Sequence, residues 1–159
     1  MSAKTYKVEI EGEDKLRAKL NQIAASMRGQ VAKEAVHAGG LQVQNNARLN
    51  IHSTFSRHQT GGLSNSIKTE SKIAGDGAEA EVSVNKVYAR IQELGGTIVP
   101  KKAGGWLVWR DPDSGQVHRA RSVTLPKRPY LEPAITEHQS DILNAMGNVI
   151  DAYLVTQRE

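Results

Sequence analysis

Apolar residues recur at helical spacing through the first third of the chain. Five of them follow one another at steps of four, three, four and four, the spacing of one face of an amphipathic helix: Leu16, Leu20, Ile23, Met27 and Val31. The pattern continues to about Leu49, but Gly29 and the pair Gly39-Gly40 interrupt it, and each interior glycine costs about 1 kcal/mol relative to alanine. The sequence therefore predicts a helix broken or kinked near Gly29, and a longer helix with a soft point at Gly39-Gly40 where a neighbour packs closely.

Alternating apolar and polar residues predict strands on both sides of these helices. The N-terminus predicts a short, half-buried strand with apolar residues at Tyr6, Val8 and Ile10. Residues 52–62 have no periodicity and predict a loop. Residues 64–84 then predict an antiparallel hairpin that turns at Gly75-Asp76-Gly77, and Tyr88 to Leu94 predicts two helical turns that stop at Gly95-Gly96.

Residues 97–128 predict a second hairpin. Thr97–Val99 and Trp106–Trp109 are short strand candidates, and Gln116–Leu125 predicts the returning strand. Between them, Asp111–Gly115 has the composition of a tight turn. If the strand at 106–109 is regular, its two tryptophans lie on opposite faces.

Three prolines precede the last helical pattern. Pro126, Pro129 and Pro133 each fix φ and push the preceding residue toward extended geometry, so Leu125 to Glu132 predicts a stiff arm. Pro133 suits the first turn of a helix, with Glu132 as its N-cap. Residues 129–159 therefore predict the end of this proline arm and one C-terminal helix, whose apolar stripe comprises Ile135, Ile142, Met146, Val149 and Tyr153, with Leu143, Ile150 and Leu154 alongside.

These elements together predict an α+β fold, in which a small antiparallel sheet packs against long amphipathic helices and an extended basic hairpin projects from them. The length of 159 residues, without a repeat or a linker, predicts a single domain over residues 1–159. Only 38% of the residues are hydrophobic and 4% aromatic, which predicts a thin, mostly aliphatic core. Such a chain either completes its burial against partners or is a domain with long solvated loops.

Cysteine and hydropathy limit the environment that we expect. The chain has no cysteine, hence no disulfide and no thiolate chemistry, which fits a reducing cytoplasm. No apolar run approaches the roughly 18 to 20 residues that span a bilayer, and the N-terminus lacks the apolar core of a signal peptide. We therefore expect neither membrane insertion nor export by a signal peptide.

The charge is unevenly divided along the chain. Residues 97–128 carry 7 basic and 2 acidic side chains, whereas residues 129–159 carry 1 and 5. A basic middle beside an acidic C-terminal segment suits contact with phosphate, or head-to-tail contact between copies of the chain. Ordinary solvated charges are an equally good interpretation of these numbers.

The residues that carry catalytic or metal chemistry lack the necessary spacing. No HxxxH or HExxH pair occurs among the five histidines, and no cysteine completes a zinc set: His37, His52, His58, His118 and His138. Ser53 and Ser56 lie near two of these histidines, but nothing indicates an orienting carboxylate or an oxyanion hole. We therefore expect no enzyme activity, no metal and no cofactor.

The basic hairpin favours contact with phosphate groups. Cations on a surface bind phosphate without any particular motif, and no helix-turn-helix, zinc finger or ribonucleoprotein motif indicates sequence-specific recognition. Trp106 and Trp109 lie among the cations; base stacking requires exposed rings, whereas anchoring a hairpin or a subunit interface is the favoured role. The residues predicted to face DNA are Lys101, Lys102, Arg110, Arg119 and Arg121.

Three stretches resemble motifs of one protein family. Residues 60–67 (TGGLSNSI) resemble "TG-x-L-x-x-SI", residues 88–96 (YARIQELGG) resemble "YA-x-x-x-E-(F/L)-G", and residues 125–135 (LPKRPYLEPAI) resemble "(I/M/L)-P-x-RP-(F/Y)-L-x-PA". Together with the opening VEIEG at 8–12, this ordered set resembles the neck and tail-completion protein family of long-tailed bacteriophages.

The resemblance implies a virion protein of the head–tail connector, made and assembled in the host cytoplasm. It implies a homo-oligomeric ring that completes or joins the tail, leaves a channel for DNA, and contacts other connector and tail proteins without catalysis or a cofactor. The hairpin between Gly96 and Leu125 is longer than in many relatives and resembles the version in morphogenesis proteins of contractile-tailed phages. This leaves open which kind of neck the protein serves.

The proline arm and the YARIQEL turn are expected to dock against each other or against a neighbouring subunit, with Arg128 paired to Glu93. The basic hairpin is expected to reach across the ring or toward the lumen. The predicted subunit-interface residues are Tyr88, Glu93, Trp106, Trp109, Pro126, Arg128, Pro129 and Tyr130. The alternative function, from a different class, is a free-standing, non-specific nucleic-acid-binding protein.

Overall fold

The computed structural model describes residues 13–55 and 61–157, so the predicted strand at 6–10 lies outside the described residues. Two helices, α1 (Glu13–Arg28) and α2 (Gln30–Thr54), are separated only by Gly29, which confirms the predicted break. The break is a single residue wide, because the Gly29 N–H still donates to the Ala25 carbonyl and the Lys33 N–H donates to the Gly29 carbonyl, both at 3.1 Å.

The predicted loop at 52–62 is wrong in its first residues, because α2 continues to Thr54. Ile51 is fully buried and Phe55 packs against the same core. These two apolar residues hold the last turn in place although the polar residues between them show no helical periodicity.

The first hairpin forms and packs on α2, but its first strand begins at Ile67, because residues 64–66 of the predicted hairpin form a 3₁₀ turn instead. Strands β1 (Ile67–Ala74) and β2 (Gly77–Val84) pair antiparallel in a ladder without a bulge. The predicted close contact lies at Gly40, where a Cβ atom would come within 2.6 Å of the Thr69 Cγ2 atom. The Thr69 hydroxyl lies 3.1 Å from the Gly40 carbonyl oxygen and 2.9 Å from the Gln44 side-chain oxygen, so these two acceptors share its single proton. The helix is continuous at this point, so the glycines serve packing and not a bend.

The segment after the hairpin contains one short helix and two strand pairs. The predicted returning strand at 116–125 is divided in two at Arg121-Ser122, opposite an insertion at 99–106 on the other side of the hairpin. The described chain thus has three separate two-stranded antiparallel pairs where a single small sheet was expected. The new elements are α3 (Ala89–Leu94), β3 (Gly96–Ile98), β4 (Leu107–Arg110), β5 (Val117–Ala120) and β6 (Val123–Leu125), with β3 paired to β6 and β4 to β5.

The C-terminal segment forms two helices instead of the single predicted one. Helix α4 (Leu131–Thr136) has Tyr130 at its N-cap position, so Glu132 lies inside the helix and the predicted cap is wrong. Helix α5 (Gln139–Thr156) runs antiparallel to α2. Its direction follows from two contacts: the Asn50 side chain donates to the Tyr130 carbonyl at 3.0 Å, whereas Gly39, earlier on α2, faces Met146 on α5.

The core is small and joins α2 to the first hairpin, α3 and α4. It confirms the expectation of a thin, mostly aliphatic interior, and its buried members are Val43, Ala47, Ile51, Leu63, Ile67, Ala89, Tyr130 and Ala134. No residue of α5 is fully buried, although Ile142 packs against the core from one side. Long helices with small antiparallel strand pairs confirm the α+β fold class.

Candidate assembly surfaces

Glu93 joins the YARIQEL turn to the start of α4. One oxygen of its carboxylate accepts the Tyr130 and Leu131 N–H groups at 2.8 and 3.1 Å, and the other accepts the Glu132 N–H at 2.9 Å. A helix N-terminus leaves its first N–H groups without partners and favours a negative charge, and α4 has no side-chain cap of its own. A carboxylate distant in sequence therefore caps this helix.

The proline arm also lies directly on the end of α3. The Arg128 N–H donates to the Gln92 carbonyl at 2.9 Å. Gly95 has a φ of 70°, and a Cβ atom there would lie 2.7 Å from the Lys127 nitrogen, so only glycine permits this approach. The docking of the arm on the YARIQEL turn is confirmed within one chain.

Within one chain, the Glu93 carboxylate binds backbone N–H groups and not its predicted partner Arg128. The Arg128 guanidinium lies 5.8 Å from the centre of the Phe55 ring instead. Tyr130 is 2% exposed, and burial, together with the nearby Glu93 charge, raises the pKa of Tyr130 to about 12. Tyr130 therefore serves the core of its own chain, whereas Tyr88, Pro126 and Arg128 keep exposed surface.

Each of the two tryptophans contacts a side chain from the opposite arm of the β4–β5 hairpin. Trp109 stacks on its cross-strand partner His118, with ring centres 5.6 Å apart. Trp106 lies below Arg121, whose guanidinium is 4.1 Å from the ring centre. Both rings anchor the hairpin, yet Trp106 remains 50% and Trp109 43% exposed.

The cations predicted to face DNA are brought together on this hairpin. The register places Arg110 and Arg119 on the same face as Trp106 and Arg121, since residues two apart share a face. Arg110 donates to the Gly115 carbonyl at 3.1 Å, and Arg121 donates to the carbonyls of two glycines in the preceding loop. Lys101 and Lys102 are exposed in that loop.

An acidic residue fixes the tip of the same hairpin. The Asp111 carboxylate accepts the Ser114 and Asp113 N–H groups at 2.9 and 2.8 Å. These bonds lower the pKa of Asp111 below its usual value. The cationic face is therefore carried on a turn with a defined shape.

Two helix faces carry exposed leucines that the sequence analysis did not identify as uncovered. On α1, Leu16 and Leu20 are 61% and 56% exposed. On α5, Leu143 and Leu154 are 65% and 37% exposed. Amphipathic periodicity predicted that these helices bury one stripe, but it does not tell whether the partner lies in the same chain.

The described residues contain little that suggests catalysis or membrane insertion. The Ser64 hydroxyl lies 3.4 Å from the His52 ring, but Ser64 is buried and so presents no nucleophile to a substrate. Within the described ranges, no group of three or more acidic residues and histidines is placed to hold a metal ion. In those same ranges, no helix is both long and apolar enough to cross a bilayer.

Residues 14–95 match the family model described as "Bacteriophage HK97-gp10, putative tail-component". No curated protein and no solved structure matches the chain. The match covers α1, α2, the first hairpin and α3, and it ends where the basic hairpin begins. It includes the motifs at 60–67 and 88–94 that carried the resemblance. Since it spans more than half of the chain, the protein belongs to this family of bacteriophage tail components.

Proposed function

We propose that the chain is a structural protein of the head–tail connector of a phage. In this proposal, copies assemble into a ring that completes or joins the tail and leaves a channel for DNA. Membership of a tail-component family supports a place in the virion and a structural role without catalysis. The choice of the neck, the ring and the contact with DNA goes beyond that membership.

The size of the exposed surface is the observation that carries the ring proposal. The chain exposes 12081 Å², whereas a compact monomer of 17.3 kDa exposes about 7,800 Å². Even a full discount of about 3,000 Å² for the undescribed residues leaves roughly 1,900 Å² more than a compact domain of the remaining size. A specific interface takes about 800 Å² from each partner, so this excess suffices for one contact on each side of a subunit.

The hairpin between residues 97 and 128 supports a contact with DNA in the channel. It presents cations along one face of a two-stranded ribbon, with Trp106 already covered by Arg121 on one side. Such a face neutralises phosphate charge without reading bases. That is the property required to hold passing DNA of any sequence.

Loss of the gene from the phage that encodes the chain tests the proposal. We expect DNA-filled heads and separate tails to accumulate, and the purified chain to join them into infectious particles in a mixed extract. Electron microscopy and plaque counts measure the outcome. Normal particles without the protein, or particles whose defect lies in an earlier step than joining, would refute the neck assignment.

A free-standing, non-specific DNA-binding protein is the second candidate, favoured by the exposed cations of the hairpin. A salt titration with duplex DNA separates the two functions. The neck proposal predicts weak or no binding by the isolated chain, whereas the alternative predicts micromolar binding that falls steeply with salt. In the alternative, the double variant R119E/R121E abolishes this binding and the control Lys86→Glu, at an exposed lysine outside the hairpin, leaves most of it.

A further inference from the structure

We propose that α1 of one copy packs against the exposed stripe of α5 on the next copy. The proposal rests on the proposed function, since it names the contact between neighbouring subunits of the ring. It commits to one occupant, a second copy of this chain, for two apolar helix faces that stay partly exposed, with the leucines of each face the most exposed members.

The two faces have matching patterns. On α1, apolar residues follow one another at steps of four, three and four: Leu16, Leu20, Ile23 and Met27. On α5, the same steps join Leu143, Gly147, Ile150 and Leu154. Alternating steps of three and four place side chains along one seam, which is the condition for two helices to interdigitate along their length. Their lengths also agree, since 16 and 18 residues correspond to about 24 and 27 Å.

Gly147 gives the α5 stripe a notch. A Cβ atom at this position would have no atom within 4 Å, so the helix surface is open between Leu143 and Ile150. A large side chain from a facing helix fits into such a gap. Gly39 on α2 shows the contrasting case, because the Met146 side chain of α5 already fills the space beside it.

The charges of the two helices are complementary. Helix α1 carries four basic and two acidic residues, whereas α5 carries two acidic residues and no basic one. The net charge of α1 is therefore +2 (four minus two) and that of α5 is −2 (zero minus two). Pairing two copies of the same helix would join like net charges, whereas the mixed pairing joins opposite net charges and has the better long-range electrostatics.

The mixed pairing has a geometric consequence for assembly. Each copy offers two different surfaces, one on α1 and one on α5, so the contact is head to tail and not self-complementary. Head-to-tail contacts close into rings when the rotation between copies is suitable. The adjacent face of α5, with Ile142 and Met146, stays packed on α2 of its own chain throughout.

Two full-length variants with one side disabled test the contact. The first carries L16Q and L20Q on α1, and the second carries L143Q and L154Q on α5; glutamine keeps the helix propensity of leucine. Light scattering is expected to show oligomers for the wild type, monomers for each variant alone, and one-to-one dimers for their equimolar mixture. The matched control Leu49→Gln, at a 66% exposed leucine of α2, is expected to assemble like the wild type.

Other results overturn the proposal. If the α1 variant assembles alone, the contact is between two α5 helices or uses a different surface. If the α5 variant assembles alone, the contact is between two α1 helices. A mixture of the two variants that stays monomeric excludes the head-to-tail contact. If the wild type is monomeric up to about 1 mM, cross-linking tests the contact further. The single variants Leu20→Cys and Ile150→Cys each carry one thiol, because the chain has no native cysteine. A bifunctional maleimide that links these two only within mixtures supports the contact, and failure to link them refutes it.

The same variants separate this inference from the proposed function. Unimpaired joining of heads and tails by both double variants overturns the α1–α5 contact and leaves the neck assignment intact. If the variants oligomerise as expected but the protein is absent from phage particles, the neck assignment is overturned and the α1–α5 contact stands.

Discussion

Replacement of Glu93 by alanine is the sharpest test of how the proline arm is held. The carboxylate accepts three N–H groups at the start of α4, and two of these bonds, to Tyr130 and Leu131, are partly buried. A buried donor that loses its acceptor costs about 1–3 kcal/mol. The third, at Glu132, is exposed, and water replaces its acceptor. We therefore expect Glu93→Ala to lower the free energy of unfolding by about 2–4 kcal/mol.

A comparison with glutamine separates charge from hydrogen bonding. Glu93→Gln keeps one acceptor oxygen but loses the negative charge at the helix N-terminus. Its free energy of unfolding is therefore expected to lie between those of the wild type and Glu93→Ala. Urea denaturation measures the unfolding free energies, and amide hydrogen exchange at residues 130–132 reports the arm directly. Glu132→Gln is the control, because its ion pair with Lys127, at 2.8 Å, is exposed on both sides and contributes little.

The outcome that contradicts this reasoning is specific. If the free energy of unfolding of Glu93→Ala is within about 0.5 kcal/mol of the wild-type value, which is the usual range for a surface substitution, the carboxylate does not hold the arm. Unchanged amide protection at residues 130–132 in the same variant would lead to the same conclusion, because the three N–H groups would then have another acceptor.

Two further predictions concern stability. Gly40→Ala is expected to destabilise the fold by about 1–3 kcal/mol, since its Cβ atom would come within 2.6 Å of Thr69. Gly147→Ala, whose Cβ atom would meet nothing in its own chain, is expected to stabilise the single chain by up to about 1 kcal/mol. Thermal unfolding of dilute protein that ranks the two variants the other way would contradict the packing at Gly40. Because the folded pKa of Tyr130, about 12, exceeds the usual value of 10.0, the unfolded chain releases this proton first, and stability is expected to fall as the pH rises from 10 to about 12. Tyr130→Phe is expected to flatten that fall in denaturation curves, and an equal fall in both proteins would exclude Tyr130 as its source.

The elements that the sequence predicted well are those governed by local rules. The break at Gly29 and the turn at Gly75-Asp76-Gly77 follow from glycine alone, and the steps of three and four define α1 and α2 without tertiary information. The division of the last helix at Glu137-His138 has no comparable signal, since neither residue is a helix breaker. This division lets α4 follow the proline arm while α5 packs along α2, and that arrangement depends on tertiary contacts.

The partner of Glu93 was missed for a physical reason that a sequence reading can incorporate. Opposite charges suggested Arg128, but a helix N-terminus is also an acceptor of negative charge. Tyr130 at the N-cap position cannot supply a capping oxygen to the first turn, and no Ser, Thr, Asp or Asn stands nearby. A helix start without a cap of its own indicates that a carboxylate from elsewhere is needed, and Glu93 is the acidic residue of the YARIQEL turn on which the arm was expected to dock.

The single residue between α1 and α2 determines more than the course of one chain. The change of direction between the two helices occurs at the backbone angles of Gly29, and hydrogen bonds are present on either side of it. If α1 reaches the adjoining copy, those two angles fix the angular step from subunit to subunit and thereby the circumference of the ring. A change of a few degrees at this pivot would alter how many copies close the circle while every contact surface stayed the same.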